Sequence, residues 1–274
     1  MKHKRNYIVT LSLLVSGFIF GQSAVQKELY QAFLHNDATK WGNATANFEK
    51  KADLEKTGDL LQLIHCYYGY VSMLIDKKQD KKATENIRKA EIYIDKVLKS
   101  EPNNALAINY KGIFISYYVS MNKIKAATLG KQIMTYLNKA CSLDPNNVQI
   151  LFDKGNSLYY PPKMFGGDKK EALKYFQKAI ASIEKQKSTY QNWMYVQLLF
   201  LEAHCYESLG NMELARKGYE KTMKVEPNFK LVRDKYYPEF LAKMKEIVCT
   251  RKMKNNDWKN KLGSLLPEGY THEP

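Results

Sequence analysis

Apolar side chains recur along this chain at helical spacing, and they do so in pairs of stripes separated by a turn. The segment from Leu199 to Pro227 is the clearest. Leu199, Ala203 and Tyr206 fall on one helical face, and Leu209-Gly210-Asn211 then breaks the helix. Glycine supplies the left-handed stop, and asparagine suits the start of the next helix. Ala215, Tyr219 and Thr222 form the second stripe, which Glu226-Pro227-Asn228 ends. The unit is helix, turn, helix.

The same unit recurs upstream at a fixed interval. Gly69, Gly112 and Gly155 are spaced by 43 residues and 43 again, and so are Pro102-Asn103-Asn104 and Pro145-Asn146-Asn147. Each proline precedes the next glycine by ten residues. Self-similarity at a fixed period marks a repeat architecture, and small residues at fixed places let two helices cross closely against a bulky aromatic. Gly69 and Gly112 each stand 21 residues before the small or apolar position of their second helix, against 12 in the last unit. Helices longer by a little over one turn each accommodate the difference.

In the third unit the extra residues read Tyr159-Tyr160-Pro161-Pro162-Lys163-Met164-Phe165-Gly166-Gly167. No helix runs through Pro161-Pro162, so this is an ordered loop ending at Asp168. Asp168 and Glu171 give a D-x-x-E capping arrangement for the helix that follows.

These residues resemble the tetratricopeptide repeat (TPR) family, whose pattern is W-x2-L-G-x2-Y, then A-x3-F, then P. Leu199, Glu202, Ala203 and Tyr206 stand in the first-helix places, and Ala215, Tyr219 and Pro227 complete the match. Ala90, Ile94, Val97 and Pro102 repeat the second-helix offsets, as do Ala172, Phe176 and Ala179; Ile133, Leu137 and Ala140 occupy them in the second unit. The resemblance spans roughly residues 58 to 229. It implies an all-α fold, a right-handed α-solenoid of about four TPR-like helix pairs. Flanking helices at 26–52 and 231–248 complete it, the latter carrying Phe240, Leu241, Met244, Ile247 and Val248 at helical spacing.

The N-terminus carries a different signal. Lys2, Lys4 and Arg5 precede a 14-residue apolar run from Tyr7 to Phe20 and then Gly21-Gln22-Ser23-Ala24. A charged start, a short apolar core and a small-residue cleavage zone make a secretory signal peptide, and the run is short for a membrane span. The expected organisation is a signal peptide at 1–23, a helical repeat domain at 24–248 and a polar tail at 249–274. Trp258, Leu262, Leu265 and Leu266 are possible docking residues in the tail. The composition looks bacterial, which implies a periplasmic protein; secretion and peripheral membrane association are the alternatives.

The chain of 274 residues has 43 Lys and Arg against 28 Asp and Glu, a formal charge of +15. Removing the signal leaves about +12, because residues 1–23 hold three cations and no acid. Only five of the 43 cations are arginine, the side chain that reads guanine and stacks on bases, so nucleic acid is not an expected partner. A positive field still steers an acidic partner or an anionic membrane surface. Cys66, Cys141, Cys205 and Cys249 form no CxxC pair, and nothing in their spacing demands a disulfide.

No HExxH, G-x-S-x-G, phosphate-cradling loop or dinucleotide fingerprint is present, so no catalytic residue and no cofactor are expected. His65-Cys66 and His204-Cys205 are adjacent pairs. Neighbours on a helix point about 100° apart, so neither pair suits one metal ion, and no metal site is expected.

The family resemblance assigns the inner groove instead: Asn109, with Ile113 and Ser116, from the second unit; Phe152, Asn156, Tyr159 and Tyr160 from the third; Gln197, Phe200, His204 and Glu207 from the fourth. The positions that clamp a C-terminal carboxylate in some TPR domains hold Cys66, Asn109, Phe152 and Phe200, which disfavours that mode. The leading expectation is a non-catalytic scaffold or adaptor that binds a peptide or an envelope protein in the concave groove. The loop leaving by Gly166-Gly167-Asp168 also resembles a unit of the T-component proteins that accompany TRAP transporters. That resemblance implies the alternative of a small-ligand-binding accessory protein.

Overall fold

Side-chain caps and the aromatic partners of small residues decide where each helix of this protein starts and what it packs on. A computed structural model describes residues 24–252. The expected signal peptide, the side chains of Val248 and Cys249 and the tail residues Trp258, Leu262, Leu265 and Leu266 lie outside the described residues.

Two helices, α1 (Ala24–Leu34) and α2 (Ala38–Glu49), precede four helix pairs. The pairs are α3 (Thr57–Asp76) with α4 (Asp80–Ser100), and α5 (Ala105–Met121) with α6 (Ala126–Leu143). Then come α7 (Val148–Tyr159) with α8 (Lys169–Lys185), and α9 (Trp193–Ser208) with α10 (Met212–Val225). A π-helical turn, Leu231–Tyr236, leads into α11 (Tyr237–Lys252), which extends into the stretch expected as tail. Among the described residues there is no strand. The first two pairs have the longer helices that the glycine interval requires: α3 and α4 run 20 and 21 residues, α9 and α10 only 16 and 14.

The asparagines after each proline are N-caps. Asn104 Oδ1 accepts from the Ala107 amide, and Asn147 Oδ1 from Gln149 and Ile150, filling donors that a helix start leaves open. Asp168 caps α8 in the same way, accepting from Lys170 and Glu171. The reciprocal half of the expected capping box is not made, because the Glu171 carboxylate turns outward to Lys174 at 2.7 Å.

The recurring glycines mark close helix crossings. A Cβ on Gly155 would lie 2.3 Å from the Phe176 ring of α8, and one on Gly69 would lie 2.0 Å from the Trp41 indole of α2. At Gly69 the intruding aromatic thus comes from the preceding helix rather than from α4.

The expected solenoid of helix pairs is present, and its first helix closes on the last pair. Its ends meet. Trp193, the first residue of α9, reaches across the interior to Phe33 of α1 (ring centroids 5.8 Å), Trp41 of α2 (5.7 Å), His65 of α3 (5.5 Å) and Phe152 of α7 (6.3 Å). Phe33 also stacks on Phe229 at 4.9 Å, and the Tyr30 hydroxyl donates to Glu226. The N-terminal half of the concave face is therefore filled by the protein's own aromatics. Cavity-scale penalties make such a filled centre the stable arrangement for these rings.

Candidate functional site

The first helices of the pairs lie side by side in parallel, with contacts offset by roughly one period: His65 to Tyr110, Asn109 to Asp153, Tyr159 to His204. Their starts point into the sealed region and their ends into the open one. Along α7, Gln149, Phe152 and Asp153 are buried, Asn156 is half-buried and Tyr160 is 66% exposed. Along α9, Trp193 is buried, Gln197 and His204 are half-buried and Ser208 is exposed.

The sealed half holds a polar cluster. Asp153 Oδ1 accepts from the Tyr68 hydroxyl at 2.8 Å, and its Oδ2 accepts from Asn109 Nδ2 at 2.5 Å and Gln149 Nε2 at 2.8 Å. His65 Nδ1 lies 2.9 Å from the Tyr110 hydroxyl, and the Tyr117 hydroxyl donates to the Tyr68 carbonyl at 3.0 Å. Burial pushes the Asp153 carboxyl up to about 6, against the pull of its three donors. Burial holds the His65 imidazole down at about 4, with the Gln149 side chain opposing. Burial also raises the Cys66 and Cys205 thiols to about 12, which leaves both unreactive near neutral pH.

The open half is aromatic. The Tyr159 hydroxyl lies 3.0 Å from His204 Nδ1, and the Tyr159 ring meets Tyr160 edge-on at 5.1 Å. Tyr236, from the π-helical turn, packs on Phe200 at 4.7 Å and on His204 at 5.2 Å. Lys169 Nζ stands 5.4 Å over the Tyr159 ring. Burial lowers the His204 pKa, which keeps that imidazole neutral at physiological pH. Asn156 Oδ1 is buried and accepts no hydrogen bond. A buried acceptor left unpaired costs about 1–3 kcal/mol.

Of the eleven residues assigned to the groove, Ile113 and Phe200 are buried, and Ser116 is half-buried with its hydroxyl donating to the Ile113 carbonyl at 2.7 Å; the other eight separate. Asn109 and Phe152 lie inside the sealed half, where Asn109 donates to Asp153 and Phe152 meets Trp193. Tyr159 is buried but turns its hydroxyl to His204. Tyr160 and His204 both meet Tyr159 in the open half, and Asn156 is half-buried one turn before Tyr160. Gln197 stands two turns before His204, half-buried. Glu207 is committed: it accepts from the Tyr219 hydroxyl at 2.7 Å and from Lys243 at 2.9 Å. Tyr236 and Lys169 join the site unforeseen. Only the π-helical turn, which the periodicity of 231–248 hides, brings Tyr236 round to Phe200.

A separate hollow of about 780 Å³ lies at the seam between α1 and the residues flanking α9 and α10, lined in part by Tyr30, His35, Tyr190 and Glu226. Tyr160 is not among the residues that line it. Among the described residues, no group of three His, Cys, Asp or Glu side chains converges as a metal site would require.

The tetratricopeptide-repeat family model matches residues 196–229, which are the body of α9 with α10 and its C-terminal turn, so this pair is a tetratricopeptide repeat. No curated protein sequence matches the chain. Among solved structures, the chain is similar to the crystal structure of the MamA protein, at 19% identity and a TM-score of 0.37, over 70% of this chain and 96% of that one. It is also similar to YrrB, described as "a TPR protein with an unusual peptide-binding site", at 19% identity and a TM-score of 0.38, over 77% and 97% of the two chains.

Proposed function

We propose that this tetratricopeptide-repeat chain is a non-catalytic scaffold, exported to the periplasm, that holds a peptide segment of an envelope partner in the open half of its concave face. The observation that carries the reading is the unpaired Asn156 Oδ1 one helical turn before the exposed Tyr160 ring. An extended peptide offers a backbone N–H for the amide oxygen, once the half-buried Asn156 side chain turns toward the groove, and an apolar side chain to cover Tyr160 and Tyr236. Tyrosine combines apolar area with a hydrogen-bonding tip at low entropic cost, which suits it to such contacts. The sealed half supplies rigidity, so little ordering cost falls on the protein when a peptide binds.

Peptide display on the immobilised protein tests the reading. One sequence class should be enriched, and its affinity should fall about tenfold or more in N156A and Y160A, the loss of one good contact. Ile92 on α4 is 67% exposed on another face, so I92S should bind as the wild type does. No enriched class, or equal binding by Y160A, would overturn the assignment. N-terminal sequencing of the protein recovered from cells tests export: the mature chain should begin near residue 24.

A further inference from the structure

The turns that join the two helices of a pair all lie on one edge, because the first helices run parallel. Thr84 near the start of α4 touches Met121 at the end of α5 through Oγ1 and Sδ at 3.9 Å, which places neighbouring turns side by side. Two of these turns are short 3₁₀ segments with the same chemistry: Lys123–Lys125, reading Lys-Ile-Lys, and Lys163–Phe165, reading Lys-Met-Phe. Their apolar side chains point away from the core. Ile124 is 86% exposed, Met164 82% and Phe165 65%.

Lysines outnumber acids around them. No acidic residue occurs from Pro102 to Leu143, a stretch with five lysines. Among the described residues, Lys123, Lys125, Lys163, Lys169 and Lys170 make no ion pair; Lys125 and Lys169 stand over the rings of Tyr118 and Tyr159. The acids nearest in sequence are spoken for, Asp168 by the first amides of α8 and Glu171 by Lys174. The α3–α4 turn adds Lys77, Lys78, Lys81 and Lys82 to the same edge, against Asp76 and Asp80, so cations remain in excess there.

We infer that this edge is a docking surface for an anionic lipid membrane. Lysines draw it to the negative headgroups, and Ile124, Met164 and Phe165 enter the interface between headgroup and acyl chain. Apolar tips on turns, set in a ring of unpaired lysines, combine the two forces by which a protein lies on a bilayer without crossing it. An acidic protein would satisfy the lysines but give no reason for three large apolar side chains at the outermost points of two turns. The surface does not depend on what occupies the groove.

Cosedimentation of the protein with vesicles of phosphatidylcholine and phosphatidylglycerol, against vesicles of phosphatidylcholine alone, tests the inference. Binding should require the anionic lipid and weaken in high salt. I124S/M164S/F165S and K123Q/K125Q/K163Q should each lower it about tenfold, with helical circular dichroism unchanged. F165W, after subtraction of the wild-type spectrum, should shift its emission to the blue with anionic vesicles only. Absence of binding would overturn the inference. So would equal binding by the serine variant, binding to neutral vesicles alike, or an F165W difference spectrum that responds to polyglutamate and not to lipid.

Discussion

Phe33, near the end of the first helix, and Trp193, the first residue of α9, meet with ring centroids 5.8 Å apart, so the two ends of the repeat array share one aromatic centre. Trp193 touches helices from four different parts of the chain, and it is buried. W193A therefore removes contacts at all of them at once. It should cost about 3–5 kcal/mol in urea unfolding, the range for deleting a large buried ring. A loss below about 1 kcal/mol would show that the ends are held by something else.

The glycine ruler makes a prediction with opposite signs at two positions. At Gly155 an added methyl would strike the ring of Phe176, which is fully buried and has nowhere to go. G155A should destabilise by about 1–3 kcal/mol. Gly130 lies in α6 with nothing within 4 Å of its Cβ position. G130A should stabilise by about 0.5–1 kcal/mol through helix propensity alone. Thermal melts of the two variants should move in opposite directions.

Asp153 and His65 should oppose each other in acid. The folded Asp153 carboxyl titrates at about 6, above its ordinary 3.8, so its contribution is largest at low pH and is lost as pH rises from about 4 to 6. His65 titrates at about 4 when folded, below its ordinary 6.5. Its contribution is present above 6.5 and is lost as pH falls toward 4. Each amounts to about 3 kcal/mol at 1.36 kcal/mol per unit, and between pH 6 and 4 they offset. D153N should therefore lose stability relative to wild type as pH falls through this window, and H65Q should gain it. Asn109 can turn its idle Oδ1 toward the new amide at position 153, so D153N should still fold. Denaturant unfolding at pH 4.5 and 7 decides this, and parallel slopes for all three proteins would contradict it.

Local signals carried most of the architecture. Proline-asparagine pairs announced the caps at Asn104 and Asn147, and Asp168 announced the start of α8, because a cap is decided within four residues. The closing of the array was not legible in this way. The family resemblance assigns Asn109, Phe152 and Gln197 to an inner face, yet the same repeat serves an open groove and a filled one. What fills it is Trp193, brought in by contacts with α1 and α2 that leave no mark on the residues around it. Tyr236 was hidden for a related reason: a π-turn shifts the phase of a stripe that reads as one regular helix.

Photo-crosslinking in living cells from a benzoylphenylalanine in place of Tyr160, with the same group in place of Ile92 as control, tests the scaffold reading most directly. The open half of the concave face should give a discrete adduct with one or a few envelope proteins from position 160, and none of these from position 92. A folded protein that yields no adduct from position 160, or the same adducts from both positions, would contradict it.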